Sequence, residues 1–221
     1  MVEVTRVRKR ALVVRGGWEG HRPVEATDRY AGVLERSGYD VTRSGTLDAY
    51  LDADLLAQTD LVVQCWTMGT ITPEQSAGLS AAVRAGTGLA GWHGGIIDAF
   101  RADLAYHLMT GAQFVRHPKE FVEYEVRIVS RHPIVAGLAP FRVRTEQYYV
   151  HADPSNEVLA VTDHVDDPEV PGLGGITMPV TYVRRWGRGR VFVTAIGHKL
   201  DDLAVPEVDA MITRGMLWAS R

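Results

Sequence analysis

Short apolar runs at residues 10–15 (RALVVR), 60–65 and 88–92 each give way, within a few residues, to a segment with helical spacing. That alternation is what a parallel sheet covered on both faces requires, because its strands are buried on both sides and its crossovers are helices. The first run ends at Gly16-Gly17 and leads into an amphipathic stretch with Ala26, Tyr30, Val33, Leu34 and Ser37 on one face, closed by Gly38. A strand over residues 39–43, a short helix over 47–57 and the strand over 60–65 follow. Thr72-Pro73-Glu74-Gln75 is a helix start: threonine can cap, proline suits the first helical position and glutamine can complete a capping box. That helix runs to Gly86, and helical spacing returns over residues 97–110 before Gly111. This punctuation predicts an α/β, flavodoxin-like domain with a mostly parallel central sheet flanked by helices.

The second half changes character. Residues 121–129, 141–149, 157–165, 180–186 and 190–196 read as strands with few helices between them, so antiparallel structure is expected beside the parallel sheet. Residues 186–190 (WGRGR) form a hairpin turn, and the Gly- and Pro-rich stretch 166–178 is expected to be a mobile loop over a site. A last helix begins at Pro206, with Val208, Met211, Ile212, Gly215 and Trp218 on one face. One domain over residues 1–221 is expected.

Composition narrows the partners. A chain of 221 residues, 46% hydrophobic and 23% charged, can bury roughly 70% of its unfolded surface without disulfides or a metal. A formal charge of -3 gives no broad basic field, and the basic start (Arg6, Arg8, Lys9, Arg10) is too small to imply nucleic acid. No apolar stretch approaches the roughly 20 residues of a membrane span. Cys65 is the lone cysteine, so no internal disulfide can form, which suits a cytoplasmic setting. A small-molecule partner is expected, with neither nucleic acid nor membrane; a homo-oligomer stays open.

The most informative segment is GLAGWHGG at residues 88–95. A residue bracketed by glycines on a sharp strand-to-helix turn projects over the carboxyl edge of the sheet, as in a nucleophile elbow, and here that residue is His93. Backbone N–H groups near Gly94 and Gly95 would offer an anion pocket at the start of the following helix, and the same helix end would favour a neutral imidazole. The alternative is that His93 merely caps that helix.

GGWEGH ending at His21, GLAGWHGG, FVRHP at 114–118, HPIVAGL at 132–138, TEQYY at 145–149 and GRGRVFVTAIGHK at 187–199 together resemble the ThuA-like trehalose-utilisation family over nearly the whole chain. The resemblance implies a class I glutamine amidotransferase-like fold and places His198 where amidotransferases of this fold carry their catalytic histidine. It also shows His93 at the cysteine position and Lys199-Leu200 where those enzymes have Pro-Glu. Glutamine hydrolysis through a thioester is therefore not expected.

His93, His198 and Glu146 are the catalytic candidates; His21, Trp66, Gly94, Gly95, His117 and Tyr148 are the substrate-binding ones. His21 lies in the loop after the first strand, on the edge where open α/β sheets bind ligands. Glu146 could orient a histidine or act as acid or base, or be a surface carboxylate. Trp66 could stack on a sugar, although core tryptophans at strand ends are commoner. His132 is expected to cap a short helix, Cys65 to be an inert strand residue, and His107, His151 and His164 to be surface residues. No cofactor is expected, but zinc on His21, His93 and His198 is the arrangement any metal would take, since no close histidine pair exists. The expected function is an isomerase, lyase or hydrolase acting on a sugar or keto-sugar by His/Glu acid/base chemistry. The alternatives are a non-catalytic sugar-binding or regulatory protein and a degenerate amidotransferase partner subunit.

Overall fold

The computed structural model describes residues 8–221, so Arg6 of the basic start lies outside the described residues. Among the described residues there are eleven strands: β1 (Lys9–Gly17), β2 (Tyr39–Ser44), β3 (Leu61–Thr67), β4 (Gly88–Trp92), β5 (Ala112–Arg116), β6 (Val122–Ile128), β7 (Phe141–Thr145), β8 (Tyr149–Ala152), β9 (Glu157–Asp163), β10 (Thr177–Trp186) and β11 (Gly189–Thr194). The α-helices are α1 (Pro23–Arg36), α2 (Ala53–Gln58), α3 (Pro73–Ala85), α4 (Leu104–Thr110), α5 (Leu200–Leu203) and α6 (Pro206–Ala219).

Nine strands form one sheet in the order β2-β1-β3-β4-β11-β10-β9-β6-β7. The first five are parallel, in the doubly wound order of flavodoxin-like sheets, and β1 is interior, between β2 and β3. Alternate residues of β1 feed separate cores: Ala11 and Val13 pack with α1 and α6 on one face, while Leu12 and Val14 pack with α2, α3 and α4 on the other. Double burial is why that strand reads as an unbroken apolar run. Helix α6 is held by Val208, Met211, Ile212 and Met216, all fully buried, each contributing on the order of 1.5–3 kcal/mol by removal from water. The capping box of α3 is complete, with the Gln75 N–H donating to Thr72 Oγ1 at 3.2 Å and the Thr72 N–H donating to Gln75 Oε1 at 3.0 Å.

Beyond β11 the sheet turns antiparallel, and β6 meets β9 at only two positions, Arg127 with Val161 and Ile128 with Ala160. There the hairpin β6–β7 peels away and packs on the α1–α6 face, whereas the two-stranded ladder β5–β8 packs on the opposite face. The chain between β7 and β8, Glu146 to Tyr148, therefore crosses from one face to the other.

Several sequence expectations need correction. The helix expected over residues 97–110 is confined to α4; residues 96–103 are irregular, with Phe100 at φ 50°. The strand expected over 141–149 breaks after Thr145, β5 was not expected at all, and the segment 47–57 is a 3-10 turn (Leu47–Tyr50) followed by α2. His107 and His164 are buried, each with Nδ1 donating to a main-chain carbonyl, of Ala112 and Val165. His132 caps the 3-10 turn Pro133–Val135 as expected. The loop after β9 is tied down by Arg116 to Asp167 at 2.6 Å and by the Gly175 N–H to the His164 carbonyl at 2.8 Å. No helix among the described residues is long and apolar enough to cross a membrane.

Candidate functional site

Parallel strands deliver their following loops to one edge, and three imidazoles arrive there: His21 after β1, His93 after β4 and His198 after β11. Their ring centroids lie 4.7 Å (His21–His93), 4.9 Å (His21–His198) and 5.5 Å (His93–His198) apart. Glu146 enters from the bridge between β7 and β8, held by the Tyr124 hydroxyl donating to its carbonyl at 3.1 Å. One nitrogen from each histidine and one oxygen of Glu146 all fall within 4.8 Å of one another.

The turn carrying His93 is as tight as its glycines suggest. His93 sits at φ 49°, a conformation unfavourable for a side chain larger than glycine. A Cβ on Gly94 would lie 2.5 Å from His21 Cε1, and one on Gly95 would lie 2.8 Å from Cys65 Cα. The glycines thus let the turn pack against both neighbours. Only a three-residue 3-10 turn, His93–Gly95, follows the strand, so the expected helix N-terminus at this point is absent.

Hydrogen bonding sets the tautomer of the neutral ring. A carbonyl can only accept, so His93 Nδ1 donates to the Ala195 carbonyl, 2.8 Å away, and the ring's other nitrogen is bare when the ring is neutral. That bare Nε2 faces Glu146 Oε2 at 3.1 Å. His198 Nδ1 lies 3.2 Å from the same oxygen, and His117 Nε2 lies 3.4 Å from Oε1. Burial by itself would raise the Glu146 pKa, but the adjacent imidazoles of His198 and His93 outweigh it, and the carboxyl is held well below the usual range. His21 behaves in the opposite sense for a base: burial, then His93 and His198, lower it to about 3, so it is neutral, with Nδ1 paired to Thr67 Oγ1 at 2.8 Å.

Aromatic rings line the surroundings. Tyr148 stacks on His93 at 4.1 Å, Trp18 meets His21 edge-on at 4.8 Å while staying 47% exposed, and Phe121 packs against His198 at 5.0 Å. Of the residues expected here, His21, His93, Glu146, His198, His117, Tyr148, Gly94 and Gly95 come together. Trp66 does not join the imidazoles; its ring lies over Gly16 and Gly69, where added Cβ atoms would meet it at 2.7 and 2.8 Å. Trp18, Phe121 and Thr67 went unread. Trp18 stood in plain view three residues before His21, and Thr67 at the end of β3, but nothing in the local sequence marks Phe121. Cys65 lies buried beneath Gly95, its thiol pushed up to about 12 by burial.

The ThuA family model, described as trehalose utilisation, matches residues 10–219. Among solved structures, a ThuA-like protein of Parabacteroides merdae superposes with a TM-score of 0.78 at 18% identity, covering 96% of this chain and 90% of that one. A ThuA-like protein of Bacteroides uniformis gives 0.76 at 14% identity, with 96% and 91% covered. A cytoplasmic protein of Salmonella typhimurium gives 0.68 at 13% identity, with 96% and 100% covered. At these identities the likeness is one of fold. No curated protein matches the chain.

Proposed function

The chain belongs to the ThuA family of trehalose utilisation, and from that premise we propose that it is an enzyme of carbohydrate utilisation acting on a trehalose-related sugar or keto-sugar at His93, Glu146 and His198. The observation that carries the reading is the facing pair of His93 Nε2 and Glu146 Oε2, 3.1 Å apart, with the other side of the imidazole fixed on a main-chain carbonyl. Two acceptors at that distance are stable only with a positive species between them, at its simplest a proton. An imidazolium beside an ionised carboxylate can deliver a proton to a sugar oxygen, while a neighbouring basic group takes one from carbon or water. His198, on the same carboxylate oxygen, suits that second role. Isomerisation, elimination and hydrolysis all use such a pair. His21, His117 and Tyr148 border the place where the sugar would sit, and the half-exposed Trp18 replaces Trp66 as the ring fitted to stack on a sugar face. The protein has no thiol step in this reading, because Cys65 is buried and protonated. A reducing, cytoplasmic setting suits its lone thiol.

The test is turnover of trehalose and its keto derivative followed by NMR. His93→Ala and Glu146→Gln should each lower turnover by roughly 100-fold or more, the usual scale for a lost proton-transfer group. Cys65→Ala should leave it intact. Normal turnover by His93→Ala would overturn the mechanism, and sugar binding without any turnover would make the protein a carbohydrate-binding or regulatory one.

A further inference from the structure

We propose that the positive species between His93 and Glu146 is a divalent first-row transition metal, zinc by the chemistry of the donors, held by His21, His93, Glu146 and His198. The inference rests on reading this cluster as the reacting site and names what occupies it. One carboxylate can balance one imidazolium, whereas three imidazoles converge on it with centroids 4.7–5.5 Å apart. Two imidazolium ions at that spacing would repel, so a proton satisfies one pair and leaves other ring nitrogens converging unpaired. A divalent cation satisfies all four donors at once.

The geometry is close to that of a bound ion. Metal–donor bonds of about 2.0–2.1 Å in a tetrahedron put donors roughly 3.3–3.4 Å apart. The His93 Nε2 to Glu146 Oε2 and His198 Nδ1 to Glu146 Oε2 separations, 3.1 and 3.2 Å, already match. The widest separation, within 4.8 Å, would close by at most about 1.4 Å on binding. The supporting shell is also in place. Ligating histidines usually donate their second ring N–H to a carbonyl or similar acceptor, and His93 does so to Ala195, while His21 pairs with Thr67 Oγ1. A donor set that is mostly imidazole selects zinc, nickel, cobalt or copper over magnesium and calcium, which take oxygen donors. With a metal in place of the proton, His93 and His198 would serve as ligands instead of acid and base; the ion would polarise a keto or hydroxyl oxygen of the sugar, leaving His117, outside the donor set and 3.4 Å from the other carboxylate oxygen, to carry the proton.

The experiment is calorimetric titration of zinc chloride into protein stripped with dipicolinate, with cobalt(II) absorption as a second readout. The expected result is one zinc per chain, visible cobalt d–d bands of a four- or five-coordinate site, and no binding of magnesium. His21→Ala, His93→Ala, His198→Ala and Glu146→Gln should each weaken zinc by roughly 100-fold or more, whereas His132→Asn, which alters a distant helix cap, should not. Circular dichroism checks each variant's fold, and the cobalt spectrum of the unaltered protein decides the matter if a variant does not fold. Absence of stoichiometric binding, or wild-type affinity in His93→Ala, overturns the metal. Turnover that persists after stripping also overturns the metal but leaves the enzyme reading standing; zinc bound one to one without turnover upholds the metal and sinks that reading.

Discussion

His21 is the residue through which the site acts on stability. It is neutral in the fold down to about pH 3 but titrates near its ordinary 6.5 when the chain is unfolded, so between those values the unfolded chain binds the extra proton. Stability must therefore fall as pH falls through that window, by about 1.4 kcal/mol per pH unit. Glu146 adds in the same direction at lower pH. Its carboxylate is held ionised in the fold, so its contribution is present above the ordinary carboxylate pKa and is lost as the pH drops below it. Urea unfolding of the metal-stripped protein from pH 7 to pH 4 should show this slope, and His21→Gln should flatten it above pH 5; an unchanged slope would mean that His21 is not the group responsible. The candidacy of His21 was legible because it follows a strand at the binding edge. Its burial was not, any more than that of His107 and His164, because burial depends on segments that pack from far along the chain.

At the scale of elements, the turn His93–Gly95 joins the sheet to the site. Gly95→Ala would press a methyl onto Cys65 Cα at 2.8 Å, and a main-chain atom in a buried strand cannot step aside; Gly94→Ala would press on the His21 ring at 2.5 Å, which can rotate. Gly95→Ala should thus destabilise the protein by about 1–3 kcal/mol, measured by denaturant titration, and Gly94→Ala should harm turnover more than stability. Equal and negligible effects of both would show that the turn is looser than described. Strands β1, β3 and β4 and the capped start of α3 were readable because their signals are local: unbroken apolar runs and a threonine-proline-glutamine spacing. Residues 97–110 misled for a physical reason. Ile96, Ile97, Ala99 and Phe100 are all buried, but in an irregular segment wedged between elements, and tertiary burial there imitates a helical period.

In the whole molecule, the decisive event is the return of the antiparallel half over the parallel edge. In a flat sheet β7 would stand five strand spacings, about 24 Å, from β4, yet Glu146 at the end of β7 touches His93 at the end of β4. The peeling of β6–β7 from β9 makes that contact, and the Thr145 hydroxyl donating to Asp202 at 2.6 Å holds the returning end against the segment that bears His198. The parallel order and the three histidines at one edge followed from short-range patterns; the meeting with Glu146 depends on a fold-back between segments some fifty residues apart, which no local spacing records. A separate cavity of about 620 Å³ between α3 and α4, lined by Ile71, Pro73, Phe100 and Leu104 among others, shares no lining residue with the histidine cluster and so offers a competing place for a ligand. A crystal of the protein soaked with keto-trehalose decides between them: the account predicts sugar oxygens against the His93–Glu146 pair with a ring face on Trp18, and a sugar seated between α3 and α4, with the histidine cluster left alone, would contradict it.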